Sequence, residues 1–221
     1  PNGWTDLVIK KGVFVMKVLL VNGSPHKEGC TYTALCEVAN TLKQEGIETE
    51  IFWIGNKPIG GCIACKACTK SGKCVFDDVV NRFREKAYEA DGFIFGSPVH
   101  YASVSGNMMG FMHRLAWSAG KYLKYKPAAM VVSARRAGTT SALDEIAKVP
   151  EFYHMPLING NYWPMVHGNT PEDVMKDEEG LQIVRNIARN MAWILKCIEI
   201  GKENGIVHPE EEVKIKTNFI R

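Results

Sequence analysis

Apolar positions along this chain follow two alternating rhythms. Short unbroken runs rich in Val, Ile, Leu and Phe recur at Lys17–Asn22 (KVLLVN), Glu48–Ile54 (ETEIFWI), Gly92–Ser97 (GFIFGS) and Pro127–Ser133 (PAAMVVS). Runs of this length without polar alternation mark strands buried on both faces of a parallel sheet. Met155–Ile158 (MPLI) reads as a short fifth strand. Between these runs the period changes to 3.6. A helix opens at Thr31–Leu35, and another runs from Asp77-Asp78 to about Ala90 with Val79, Val80, Phe83 and Ala87 inward. Helices are also predicted from near Gly106, after Thr140, and over about Asp177–Lys202, the last with Val184, Ile187, Ala188, Met191, Leu195 and Ile198 on one face.

Strands alternating with helices predict an α/β fold. Five such strands fit a flavodoxin-like parallel sheet, order 2-1-3-4-5, with helices on both faces. In that order ligands bind at the carboxyl ends of the strands, at the switch point between the first and third. The loops after Asn22, Ser97 and Ser133 are the unusual ones, and this topology brings them to one crevice. The expected organisation is an N-terminal extension over 1–15, one domain over 16–205 and a C-terminal tail over 206–221. Met16 is a natural start for the architecture, and the extension reads as a peripheral strand or loose tail.

The first of these loops carries the strongest local chemistry. Asn22 runs into Gly23-Ser24-Pro25-His26-Lys27-Glu28-Gly29-Cys30-Thr31-Tyr32-Thr33, where the helix begins. A helix N-terminus with free amides is a ready anion site. The loop is not G-x-x-x-x-G-K-[ST], because Glu28 holds the second glycine position. Nor is it G-x-G-x-x-G, because Pro25 stands in the middle. A hydroxyl-lined turn of this kind suits a terminal monophosphate, and its bland alternative is an ordinary strand-to-helix turn.

Composition narrows the classes further. A net charge of +3 over 221 residues is too small to imply a nucleic acid or a membrane surface as partner. No apolar run reaches bilayer-spanning length, and no secretory signal is visible. The seven cysteines are odd in number, which argues against a secreted disulfide scaffold, so a reducing cytoplasm is the expected location. Four of them crowd into Cys62–Cys74, where metal binding, redox chemistry and chance are the alternatives.

Gly23-Ser24-Pro25, the Thr31/Thr33 helix start and Gly96-Ser97-Pro98-Val99-His100-Tyr101 together resemble the NAD(P)H-dependent FMN reductase and flavodoxin-2-like families. The segment Cys62-Ile63-Ala64-Cys65-Lys66-Ala67-Cys68…Cys74, followed by Asp77-Asp78, resembles the iron–sulfur flavoproteins of that superfamily. The resemblance covers about residues 16–200 and implies FMN at the three loops. By position Ser24, Pro25, His26, Thr31, Tyr32 and Thr33 would hold the phosphate. Pro98, Val99, His100 and Tyr101 would flank the ring, and Ala134, Arg135, Arg136 and Gly138 would approach its pyrimidine edge. His26 and Cys30 depart from the Arg and Asn of many relatives, and His100-Tyr101 departs from their Pro-Val-Tyr.

The implied activity is an FMN-dependent NAD(P)H oxidoreductase passing electrons to a small-molecule or protein acceptor, with catalysis carried by the flavin and no protein nucleophile. The alternative is an electron carrier fed by ferredoxin without NAD(P)H; a zinc-stapled interaction module is a third reading. The spacing C-x2-C-x2-C-x5-C would let Cys62, Cys65, Cys68 and Cys74 ligate one [4Fe–4S] cluster. Free thiols and zinc stay open beside it. Cys30, Cys36 and Cys197 read as packing residues. The aperiodic segment 159–176, with Tyr162, Trp163 and His167, predicts a homodimer or homotetramer in which this loop nears a neighbour's flavin.

Overall fold

The computed structural model describes residues 15–217 and 219. In chain order the elements are β1 (Lys17–Asn22), α1 (Cys30–Gln44), β2 (Glu48–Trp53), α2 (Ala67–Ser71), α3 (Val79–Glu89), β3 (Gly92–His100), β4 (Ser103–Val104), α4 (Gly106–Leu123), β5 (Ala128–Ala134), α5 (Thr139–Phe152), β6 (Met165–His167), α6 (Pro171–Val174) and α7 (Glu178–Glu203). The sheet runs β2-β1-β3-β5-β6, all parallel, and β4 folds back antiparallel on the end of β3. With β4 set aside, the parallel strands follow the expected path 2-1-3-4-5.

Burial on both faces explains the unbroken apolar runs. Leu19, Val21, Phe93, Phe95, Met130 and Val132 point to one side and pack with Phe83, Phe111, Leu115 and Ile146 of α3, α4 and α5. Val18, Leu20, Ile94, Ala129 and Val131 point to the other and meet Leu35, Val38, Ile187 and Met191 of α1 and α7. Successive residues of these central strands alternate between the two cores, so a polar side chain in the middle of β1, β3 or β5 would be buried.

The fifth strand is not where the apolar run predicts it. Met155–Ile158 makes a single bridge, Leu157 to Ala128, beside the start of β5. Pro156 contributes its carbonyl to Ala128 N–H at 2.9 Å but has no N–H to extend a ladder. The chain then departs through Asn159-Gly160 and returns as β6, which pairs with Val132–Ala134. The edge of β5 is thus covered by two short pieces. The expected extension over 1–15 lies, apart from Val15, outside the described residues. Among the described residues, 206–217 adopt no regular structure, though Lys124 pairs with Glu211 there. No helix among the described residues is long and apolar enough to cross a membrane.

Candidate functional site

Asn22, the last residue of β1, is fully buried and organises the turn that follows. Its side-chain oxygen accepts from Ser24 N–H at 3.1 Å and its amide donates to the Lys27 carbonyl at 2.9 Å. Ser24 Oγ then accepts from His26 N–H at 3.1 Å, and the Trp53 indole donates to the Ser24 carbonyl at 2.8 Å. Gly23 has no room for a side chain: a Cβ would sit 2.7 Å from the Gly96 carbonyl and from Met108 Sδ. The turn is therefore held from its own strand, from β2 and from β3 at once.

The turn delivers the N-terminus of α1, whose N-cap Gly29 supplies no side-chain cap. The first amides of α1 thus have no partner from the cap side chain, as an anion site requires. One helical turn is clasped to the sheet where buried Thr31 and Ser133 share a hydroxyl–hydroxyl bond of 2.8 Å. Ser105 forms a second clasp. It donates to the Gly23 carbonyl at 2.7 Å, its N–H donates to Ser97 Oγ at 3.1 Å, and its Oγ caps α4 by accepting from Met108 N–H at 3.2 Å.

β3 continues past Ser97 through His100, and its last residues meet the turns after β1 and β5 around one cleft of about 510 Å³. Of the residues singled out from sequence, Ser24, His26, Thr31, Pro98, Val99, His100, Ala134 and Arg135 line it. Six others stand off it, each for a local reason. Pro25 is the corner of the turn that Ser24 Oγ closes. Tyr32 pairs its hydroxyl with Cys36 one turn along α1, and that bond raises the phenol above its ordinary pKa. Thr33 spends its hydroxyl on the Gly29 carbonyl at 3.2 Å. Tyr101 is the fully exposed tip of the β3–β4 turn at φ +51°, so His100 is the ring of the pair that borders the cleft. Arg136 is exposed, its carbonyl 3.2 Å from His167 Nε2. Gly138, at φ +92°, lies under the same turn, where a Cβ would meet Ala102 Cα at 2.6 Å.

The cleft also includes residues the sequence reading left out. Glu28, Gly29, Cys30 and Ser133 line it, as do Gly168, Asn169, Thr170 and Pro171, so the first loop brings a carboxylate to the cleft beside its hydroxyls. The last group closes the side formed by the aperiodic segment. Its signal is legible afterwards: Thr170-Pro171-Glu172-Asp173 is a capping box with proline at N1, and it starts α6. Cys30, expected to be a packing residue, faces the cleft instead and contacts the Gly168 carbonyl through Sγ at 3.7 Å. Burial raises its thiol, and Asp173 and Glu172 add to the rise.

The cysteine segment forms a separate small cavity of about 100 Å³. Cys62, Cys65, Cys68 and Cys74 all line it, with Ile63, Val75, Phe76 and Trp117 among the other walls. Burial, and then Cys62, Cys74 and Cys65, push the Cys68 thiol up. Cys62 and Cys65 are exposed, whereas Cys68 and Cys74 are half-buried. Among the described residues no three or more His, Cys, Asp or Glu converge on one metal ion. A single zinc needs four donors about 2.0–2.3 Å from one point, whereas a cubane spreads its four thiolates around a larger body. A small apolar cavity walled by four thiols fits the second arrangement better than the first.

A doubly wound α/β protein with a ligand cleft at the switch point between β1 and β3, floored by a helix N-terminus, is a flavodoxin-like protein. Two solved structures share that fold: RosB, solved with bound 8-demethyl-8-formylriboflavin-5'-phosphate (TM-score 0.66, 14% identity, 94% of each chain covered), and a flavodoxin from the domain Archaea (TM-score 0.55, 15% identity, 82% of this chain and 99% of that one). The chain belongs to the NADPH-dependent FMN reductase family, a family of flavin oxidoreductases, whose model matches residues 16–170. An iron–sulfur flavoprotein of Methanocaldococcus jannaschii is 34% identical over 194 residues, covering 83% of this chain and all of that protein.

Proposed function

We propose that this chain is an FMN oxidoreductase that also carries one [4Fe–4S] cluster, takes electrons from NAD(P)H and passes them to a small-molecule or protein acceptor. The observation that carries the reading is the meeting of three strand ends, with the turns after β1 and β5, around one 510 Å³ cleft at the amino end of α1. Bound FMN supplies the hydride and electron chemistry itself, and a cluster supplies single-electron steps.

The protein's share is binding and orientation. The unpartnered amides of α1, with Ser24 and His26, would hold the phosphate, and the buried Asn22 keeps that loop in shape before any ligand arrives. Pro98, Val99 and His100 would border the ring system. Arg135, exposed at the end of β5 and lining the cleft, offers positive charge where a reduced flavin gathers negative charge. Cys62, Cys65, Cys68 and Cys74 would ligate the cluster. Helix α4 spans the two sites: it is capped by Ser105 under the flavin loop and reaches the cysteine cavity at Arg114, about 14 Å further along its axis.

The cysteine cavity favours a second reading of the donor, in which a ferredoxin feeds the cluster and no pyridine nucleotide takes part. Anaerobic stopped-flow mixing with NADPH and with NADH, without acceptor, separates the two. The first reading expects flavin bleaching within seconds and ping-pong steady-state kinetics, because one open face serves donor and acceptor in turn. No bleaching within minutes leaves the ferredoxin reading. We also propose a homodimer or homotetramer in which the exposed Tyr162–Trp163 pair nears a neighbour's cleft.

A further inference from the structure

Of the four clustered cysteines, Cys74 is held in a way the others are not. Its backbone is clamped on both sides by one side chain: Asn81 Oδ1 accepts from Cys74 N–H at 2.9 Å, and Asn81 Nδ2 donates to the Cys74 carbonyl at 3.0 Å. Its sulfur has a charged donor, because Arg114 Nε lies 3.2 Å from Cys74 Sγ. Arg114 is only 2% exposed, the largest fully buried side chain among the described residues, and it stands in the middle of α4.

Every arm of that guanidinium is engaged. Nη1 donates to Asp78 Oδ2 at 2.7 Å, and Nη2 donates to Asp78 Oδ1 at 2.9 Å and to the Phe76 carbonyl at 3.1 Å. The Phe76 ring packs 4.9 Å from its carbon centre. Asp78 is also the N-cap of α3, accepting from Val80 N–H at 3.0 Å. A buried cation is costly unless paired and fully bonded. Pairing with Asp78 explains why this one is tolerated, but it does not explain why Nε is turned onto a sulfur. A planar fork can pair two-pronged with a carboxylate and still direct its Nε–H elsewhere in a fixed geometry, which the single nitrogen of a lysine does not reproduce.

We propose that Arg114 is a positioning residue of the cluster site, which fixes the Cys74 sulfur and raises the reduction potential of the cluster through its Nε–H···S bond. The inference rests on the cluster reading above. One electron added to a cluster increases the negative charge on its irons and ligand sulfurs. A buried guanidinium donating to one of those sulfurs stabilises the reduced form more than the oxidised one, and hydrogen bonds to sulfur are among the factors that set cluster potentials. Asp78 offsets part of the charge but leaves the N–H···S contact in place. Cys62 and Cys65 stand on an exposed loop, so Arg114 makes Cys74 the fixed corner to which the other three close.

The test compares wild type, Arg114→Met/Asp78→Asn and Asp78→Asn, each reconstituted anaerobically with iron and sulfide in the FMN-bound protein. The paired variant removes the guanidinium without stranding the carboxylate. Iron and sulfide per chain are measured first, then the cluster midpoint potential by reductive titration followed by electron paramagnetic resonance. The expected result is about four irons in wild type, a lower cluster potential in the paired variant, and an equal or higher potential in Asp78→Asn, which keeps the donor. Loss of iron from a paired variant that still binds FMN also supports the positioning role. If the paired variant does not fold, Arg114→Lys replaces it, with the potential again expected below wild type. A wild-type potential in the Arg114 variants, or an equal drop in Asp78→Asn, overturns the inference and leaves the cluster reading intact. A wild type that takes up no iron overturns both.

Discussion

Thr31 and Ser133 show how much of the site rests on single hydroxyls. Their bond ties the start of α1 to the end of β5 between two buried residues at the back wall of the cleft. Thr31→Val leaves the Ser133 hydroxyl buried without its partner, so the FMN-free protein should lose about 1–3 kcal/mol of stability in a urea titration. An unchanged urea midpoint would mean that Ser133 finds another partner. Ligand binding is tested separately. Ser24→Ala/Thr31→Ala removes two hydroxyls that line the cleft. If they bond the phosphate, each contributes roughly 1.5–3 kcal/mol, and FMN affinity, read from flavin fluorescence quenching, should fall at least tenfold. An unaltered affinity would remove the phosphate from this loop. Glu50 offers a residue-level test unconnected with the ligand. Burial alone would raise its carboxyl, but the ammonium groups of Lys17 and Lys86, each 2.8 Å away, outweigh burial and hold it below the ordinary glutamate value. The stability this contributes is present above about pH 4.3 and is lost as pH falls through the lowered folded value. Urea midpoints of wild type and Glu50→Gln should therefore differ at pH 6 and draw together as pH falls through the lowered folded value; a constant gap would place the effect elsewhere.

At the scale of elements, the turn between β3 and β4 governs the mouth of the cleft. Its tip residues Tyr101 and Ala102 both have positive φ, and it rests on Gly138 at the start of α5. Ser141 adds a hydroxyl bond to the Ala102 carbonyl. Gly138→Ala combines a left-handed backbone with a Cβ 2.6 Å from Ala102 Cα, so it should cost at least about 1–2 kcal/mol and displace His100 from the cleft wall. A loss below 0.5 kcal/mol in urea titration, roughly the scale of an ordinary surface substitution, would mean that the turn yields freely. These contacts also mark the limit of what the chain discloses as a sequence. β1, β3 and β5 are legible because burial on both faces forces unbroken apolar runs, and the capped α3 and the long α7 are legible from their period. The β3–β4 hairpin is not, since its turn depends on a non-local contact with Gly138. Nor is β6: MVH is too short to carry a pattern, and the more apolar MPLI outweighs it until Pro156 is seen to lack a donor. The site follows the same rule. Ser24, His26 and Thr31 fall within one short turn of the sequence and are legible together. The contribution of 168–171 depends on packing between distant segments, whereas Tyr32 and Thr33 turn onto atoms four residues away, on α1 and its cap.

For the whole molecule, the arrangement is two sites at the same edge of one sheet, joined by α4. The flavin loop meets that helix at Ser105, and the cysteine loop meets it at Asn107, which bonds the Ile59 N–H and the Lys57 carbonyl at 3.0 Å each, and again at Arg114. Both loops are thus tied to one rigid element, so the two proposed cofactors would be held at fixed positions. Tyr162 and Trp163 stand edge to face, 52% and 56% exposed, on the loop that leads to β6. Sedimentation at micromolar concentration should find a dimer or tetramer, and Trp163→Ser should shift it toward monomer; a fully active monomer would contradict the proposed assembly. We propose that one chain binds one flavin in the cleft and one cluster in the cysteine cavity, as independent occupants. The most direct measurement is the flavin, iron and sulfide content of anaerobically purified protein, beside that of Cys65→Ala. One FMN and about four irons and four sulfides per chain are expected in wild type, with iron lost and FMN retained in Cys65→Ala. Protein that binds no FMN when supplied with it, or whose FMN disappears together with its iron in Cys65→Ala, would contradict it.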